Sequence, residues 1–109
     1  MADELVVEIY RITRAYPREE MYGLVSQMRR AAVSVPANIV EGCGRAGLNE
    51  YVHFLNIARA SLRELGYYLD LSRRLGYLPD GPARELEGKY NETASVLSGL
   101  ISSLKNLKA

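Results

Sequence analysis

Tryptophan is absent from this sequence, and cysteine, histidine and phenylalanine occur once each, as Cys43, His53 and Phe54. A lone cysteine excludes an intramolecular disulfide and a cysteine-cluster zinc site, and it fits a reducing, cytoplasmic setting. No apolar run approaches the roughly 18 residues of a membrane span. The opening Met1-Ala2-Asp3-Glu4 carries the wrong charge to begin a signal peptide, so no membrane association is expected. An excess of either charge is also missing: 14 Lys plus Arg face 13 Asp plus Glu. That balance excludes a polybasic tail and an acidic disordered one. What remains is a chain of 109 residues, 48% hydrophobic and 25% charged, which suits one globular domain over residues 1–109 with one core.

Apolar spacing makes the chain helical. Leu86, Tyr90, Thr93, Leu97, Leu100, Leu104 and Leu107 step by four and three alternately, the stripe of one helix face. Tyr51, Leu55, Ala58, Leu62, Leu65 and Leu69 repeat the pattern, and Phe54, Ile57, Ser61, Tyr68, Leu71 and Leu75 widen that face. Leu24, Met28, Ala31 and Val35 mark another helix, and Leu5, Ile9, Ile12 and Tyr16 a short first one.

The breaks agree. Tyr16-Pro17 ends the first helix, because a residue preceding proline is pushed out of the helical region. Gly42, Gly44 and Gly47 separate helices two and three. Gly76, after Arg73-Arg74-Leu75, predicts a left-handed C-cap with cations at the carbonyl end of the dipole. Asp80 or Gly81 is expected to cap helix four, with Pro82 in its first turn. Pro36 falls inside helix two, where a kink is expected with the Ala32 carbonyl freed. Short connections between sequential helices predict an all-α fold, an antiparallel up-down-up-down four-helix bundle.

Few residues suggest chemistry. Gly42-Cys43-Gly44-Arg45-Ala46-Gly47 spells G-x-G-x-x-G, but that fingerprint binds a dinucleotide only between a strand and a helix, and no strand pattern exists. Cys43 and His53 lack the orienting third group that a nucleophile pair needs. Glu50-Tyr51-Val52-His53 matches the Glu-x-x-His string of di-iron bundles once, where two copies and two further Glu are required. No catalytic residue, metal, cofactor or small-molecule substrate is expected.

Arginine outnumbers lysine 11 to 3, a bias toward forked donors that pair with carboxylates, stack on rings or grip phosphate. Arg29, Arg30, Arg45, Arg59 and Arg63 are the candidates for contact with RNA or other nucleic acid. Each basic cluster has acid nearby, however, and the pI of about 7.8 is low for a nucleic-acid binder. Gln27, Ser34, Asn38 and Glu41 in helix two, with Glu64 in helix three, are the candidate polar positions for fixing register or subunit contacts. Eight tyrosines suit half-buried interface positions.

The run QMRRAAVSVPANIVEG at 27–42, preceded by Tyr22-Gly23-Leu24-Val25-Ser26 and followed by Arg45, resembles the hallmark of the 23S ribosomal RNA intervening-sequence proteins. Glu50–Leu65 is similar to their second signature and Leu75-Gly76-Tyr77-Leu78 to a third. Gly47 stands where these proteins typically have Ser, which removes the hydroxyl of a capping box with Glu50. Ala60 stands where they typically have Gly, at a close helix contact, and helix one is short beside theirs.

The resemblance implies a bacterial four-helix bundle that assembles as a homopentamer, under a family name that records gene location rather than activity. It also implies kinship with the accessory protein of diversity-generating retroelements, a markedly basic branch that binds nucleic acid and a reverse transcriptase. Near-neutrality here argues for weak RNA binding at physiological salt. The expectation is a non-enzymatic homo-oligomeric scaffold; the alternative is a retroelement-type accessory protein.

Overall fold

The computed structural model describes residues 1–108. Four helices follow one another: α1 (Ala2–Thr13), α2 (Leu24–Cys43), α3 (Leu48–Arg74) and α4 (Asp80–Lys108), with one tight turn of 3-10 helix at Arg18–Glu20 before α2. No strand occurs among the described residues. Partners across the α2–α3 seam rise in one helix as they fall in the other: Met28 with Ser72, Arg30 with Glu64, Ser34 with Ser61, Gly42 beside Tyr51 and Phe54. These two helices are therefore antiparallel. The same reversal holds for α1 and α2, where Thr13 meets Arg29 and residues 3–7 share a groove with residues 33–40. It holds again for α3 and α4, where Gly66 lies against Tyr90 and Arg73 against Asp80. Lys89 Nζ lies 4.0 Å from Glu8, so α4 closes back on α1. The bundle measures 47 × 24 × 18 Å.

The expected stripes face inward. Leu5 and Ile9 of α1, Met28 and Val35 of α2, Leu55, Leu62 and Leu65 of α3, and Leu86 and Ile101 of α4 are fully buried. Each such side chain contributes roughly 1.5–3 kcal/mol through removal from water. Ala31 and Ala32 in α2 and Ala58 and Ser61 in α3 are small and buried, which lets these two helices approach closely over most of their length.

Helix ends depart from expectation in two places. α1 stops at Thr13, three residues short of Tyr16, and the chain tightens into turns in which Ala15 N–H donates to the Ile12 carbonyl at 3.3 Å and Tyr16 N–H to the Thr13 carbonyl at 3.2 Å before Pro17. Tyr16 still enters the core from the connecting segment. Asp80 is already inside the first turn of α4 and pairs with Arg73, so neither it nor Gly81 is the cap; the Pro79 carbonyl accepts from Ala83 N–H. Gly76 behaves as predicted. Its φ is +79°, Gly76 N–H donates to the Arg73 carbonyl at 3.0 Å, and Tyr77 N–H donates to Ser72 at 2.9 Å. Those two bonds are the Schellman pattern. α2 runs unbroken through Pro36.

Of the three glycines expected to separate α2 and α3, only Gly44 and Gly47 do so, because α2 continues through Gly42 to Cys43. Gly42 lies in the last turn of α2, where an added Cβ would meet Tyr51 Cδ1 at 2.9 Å, Phe54 Cβ at 3.1 Å and the Tyr51 carbonyl at 3.3 Å. Gly44 ends α2. Gly47 is the N-cap of α3 in extended backbone (φ −100°, ψ 142°) with open space where a side chain would go. We predict that Gly42→Ala destabilises by about 1–3 kcal/mol despite the better helix propensity of alanine, because two of the three clashing atoms cannot rotate away. Gly47→Ser is expected to stabilise by about 0.5–1 kcal/mol, since serine at this N-cap completes a capping box with Glu50. Thermal unfolding followed by circular dichroism checks both; equal shifts of the same sign would refute them.

Candidate functional site

The five candidate arginines do not form one patch. Arg30 reaches across the α2–α3 seam to Glu64 and also donates to Gln27 Oε1 at 3.0 Å. Arg45 in the turn is held by Glu41, with Glu50 3.8 Å from its other terminal nitrogen, and its guanidinium lies 5.0 Å from the centre of the Phe54 ring. Both are neutralised where they stand. Arg29, Arg59 and Arg63 meet no carboxylate among the described residues. Arg29 is half-buried beside α1, where its Nε donates to Thr13 Oγ1 at 3.0 Å and its guanidinium stacks 4.7 Å over Tyr10. Arg59 donates to Asn56 Oδ1 at 2.8 Å, one turn earlier in α3. Arg63 is exposed one turn further along the same side, beside Tyr90 of α4, where its charge offsets part of the upward push of burial on the Tyr90 phenol. Arg29 thus lies on the α1–α2 edge of the bundle, and Arg59 and Arg63 on the α3–α4 edge.

The candidate polar positions converge better. Ser34 Oγ and Ser61 Oγ lie 2.8 Å apart across the seam, and Asn38 Nδ2 donates to the Ser34 carbonyl at 2.8 Å and to Ser34 Oγ at 3.0 Å. One level away, Glu64 Oε1 accepts from both Arg30 and the Tyr68 hydroxyl. Burial raises the Tyr68 phenol pKa, and the Glu64 carboxylate raises it further. Gln27 is exposed and accepts only from Arg30, and Glu41 faces Arg45 at the turn. The α2–α3 seam is therefore bridged by the half-buried Ser34–Ser61–Asn38 network and, at its exposed edge, by Arg30 and Glu64.

Cys43 and His53 are both exposed; Cys43 Sγ lies 3.6 Å from the Tyr51 hydroxyl, and His53 sets its ring edge-on to Phe54. No three His, Cys, Asp or Glu gather among the described residues in a way that could hold a metal. Ala60 is exposed, away from any close helix contact. The close approach lies at Gly66, where a Cβ would stand 2.6 Å from the Tyr90 hydroxyl. Beside that pair is a cavity of about 290 Å³ between α3 and α4, edged by Asp70, Arg73 and Glu87. Arg74 and Asp80 engage Asp70 and Arg73, respectively. Sequence spacing missed the Arg29–Tyr10–Thr13 cluster, because its members stand 16 and 19 positions apart on different helices.

Ser34 and Ser61 should be energetically coupled. Removing one hydroxyl leaves its partner short of a bond, so Ser34→Ala and Ser61→Ala are each expected to cost about 1 kcal/mol. The double variant should lose at least about 0.5 kcal/mol less than their sum. Denaturant unfolding of the four proteins measures this; strict additivity would remove the coupling.

No curated protein matches the chain. Among the described residues no helix is long and apolar enough to cross a membrane. Among solved structures, the chain is similar to the crystal structure of a protein of unknown function from the S23 ribosomal protein family of Bacteroides thetaiotaomicron. The TM-score is 0.84 at 24% identity, covering 92% of this chain and 94% of that one. At that identity the likeness shows the shared four-helix fold. The family model for 23S rRNA-intervening sequence protein matches residues 1–99, which take in α1, α2, α3 and most of α4. The chain belongs to the 23S rRNA-intervening sequence protein family.

Proposed function

We propose that this protein is a non-enzymatic, homo-oligomeric scaffold, a pentamer of four-helix bundles with at most weak contact to RNA. The observation that carries this reading is apolar surface left outside a filled core. Val7 is 64% exposed, Val40 71% and Val96 53%, while the buried residues of all four helices already pack on one another. Val7 and Val40 line the groove between α1 and α2, while Val96 stands apart on α4; apolar residues gathered in such a groove mark an association surface. The pentamer is what the resemblance to the 23S rRNA-intervening sequence proteins implies, and among the described residues no group of His, Cys, Asp or Glu could hold a metal. The reading places the protein in the cytoplasm, in keeping with its one unpaired cysteine.

RNA contact in this reading falls to the arginines not already held by carboxylates, chiefly Arg59 and Arg63. The retroelement-type accessory role, with a reverse transcriptase as partner, needs a larger basic surface than a net charge of +1 supplies.

Light scattering on the wild type at micromolar concentration is expected to return five copies of the 12.2 kDa chain, about 61 kDa; a monomer would refute the scaffold. RNA binding is expected only near 50 mM salt and should fall to background by about 200 mM, as counterion release requires. Arg59→Ala with Arg63→Ala should remove most of it, whereas Arg30→Ala with Arg45→Ala should change it little. Salt-independent binding, or the reverse ranking of the two pairs, would refute this assignment.

A further inference from the structure

One level of the α3–α4 contact is built in a way that stability alone does not favour. Gly66 lies well inside α3, where glycine is a poor helix former. Its missing side chain admits the Tyr90 ring: the Tyr90 hydroxyl stands 2.6 Å, and its Cζ 2.9 Å, from where a Cβ would be. Beside this tight contact the same two helices leave the cavity of about 290 Å³. Its floor is apolar, with Leu78, Ala83 and Leu86 buried and Leu69 half-buried, and Tyr90 forms part of its wall. An engineered apolar cavity of about 150 Å³ holds benzene, so this one has room for a ring and a short chain. Bundles close such gaps with a larger side chain, yet the floor position nearest the start of α4 is Ala83.

The mouth of the cavity is rich in hydrogen-bond acceptors. Asp70, Arg73, Glu87 and Asn91 are exposed there. Arg73, the one cation among them, is drawn to Asp80 at 3.2 Å. Arg74 engages a single Asp70 oxygen, Oδ2, at 3.0 Å, which leaves the other. Glu87 takes part in no ion pair among the described residues. Arg63 lies close enough to Tyr90 to act on its phenol but is not part of the lining. Two carboxylates therefore face the opening against one guanidinium that is already engaged.

We infer that this cavity binds a small primary amine with an apolar body, the body resting on Leu78, Ala83 and Leu86 and the ammonium held among Glu87, Asp70 and the Asn91 carbonyl. A primary ammonium has three donors and no acceptor, which suits that set. The electron-rich ring of Tyr90 adds attraction for a cation at the same wall. A ligand of the same shape ending in a carboxylate would meet like charge, and a neutral one would gain apolar burial alone. No motif announces the site, because its residues come from separate stretches, 66–73, 78 and 83–91, that only the antiparallel packing of α3 and α4 brings together. It lies away from the groove between α1 and α2, so it does not rest on the homo-oligomer reading.

Three compounds of one shape and different charge test this: phenylpropylamine, phenylpropanol and phenylpropanoate, each titrated onto the wild-type protein by ligand-observed NMR. The amine is expected to bind with a Kd of about 1 mM or tighter, at least tenfold tighter than the alcohol, with the carboxylate weakest. Ala83→Leu fills the floor; it should abolish binding of all three with the melting temperature unchanged or raised. Glu87→Gln should weaken the amine about tenfold and leave the alcohol as it was. Failure of the amine to bind, a preference for the alcohol or the carboxylate, or undiminished binding by either variant would overturn the inference. Light scattering should return the same mass with and without the amine; a mass that changes would make the cavity a subunit contact and overturn the inference too. A wild type that is monomeric yet prefers the amine would uphold this site while refuting the scaffold.

Discussion

The close approach of α2 and α3 is the constraint on which the bundle depends. Small buried residues on both helices, Ala31, Ala32, Ala58 and Ser61, bring the axes together. Gly42 continues that approach to the end of the seam, where even a methyl group would strike Tyr51 and Phe54. Close axes leave little room for long side chains between them. The half-buried Ser34–Ser61 pair bridges the seam at one level, and the exposed Arg30–Glu64 pair adds a contact at its edge. α1 and α4 then pack onto this pair, each against one of its members and against each other.

Much of this was legible in the chain because helical spacing is a local signal. The four-and-three steps from Tyr51 and from Leu86 locate α3 and α4, and Gly76 with its preceding arginines locates a C-cap. Leu107 escaped the same logic: it continues the four-and-three spacing, yet it is 75% exposed beyond buried Ile101 and half-buried Leu104, because spacing tells which side a residue takes and not how far the core extends. The end of α1 was misplaced for a related reason. Pro17 signals where a helix must have stopped, whereas the i→i−3 bonds of Ala15 and Tyr16 show the last turn already tightened before it, a change that no residue type announces.

The arginines divide along the same line. Glu41 stands four positions before Arg45, so that ion pair could be anticipated. Arg30 finds Glu64 at 34 positions' distance and Arg29 finds Tyr10 at 19, contacts that only the antiparallel arrangement creates. Composition therefore overstated the charge available to a polyanion. Of the 11 arginines, Arg11, Arg30, Arg45, Arg73 and Arg74 are held by carboxylates.

The turn between α2 and α3 has a kinetic consequence. Four residues, Gly44 to Gly47, join the two helices that share the largest surface in the molecule. Closing so short a loop costs little chain entropy, and it is followed at once by the most extensive packing the fold offers. Contacts of low sequence separation form early and favour rapid folding. The α2–α3 hairpin is thus the natural nucleus of the domain. α1 and α4 add to it afterwards, so the groove between α1 and α2 and the cavity between α3 and α4, each walled by one of these outer helices, mature last.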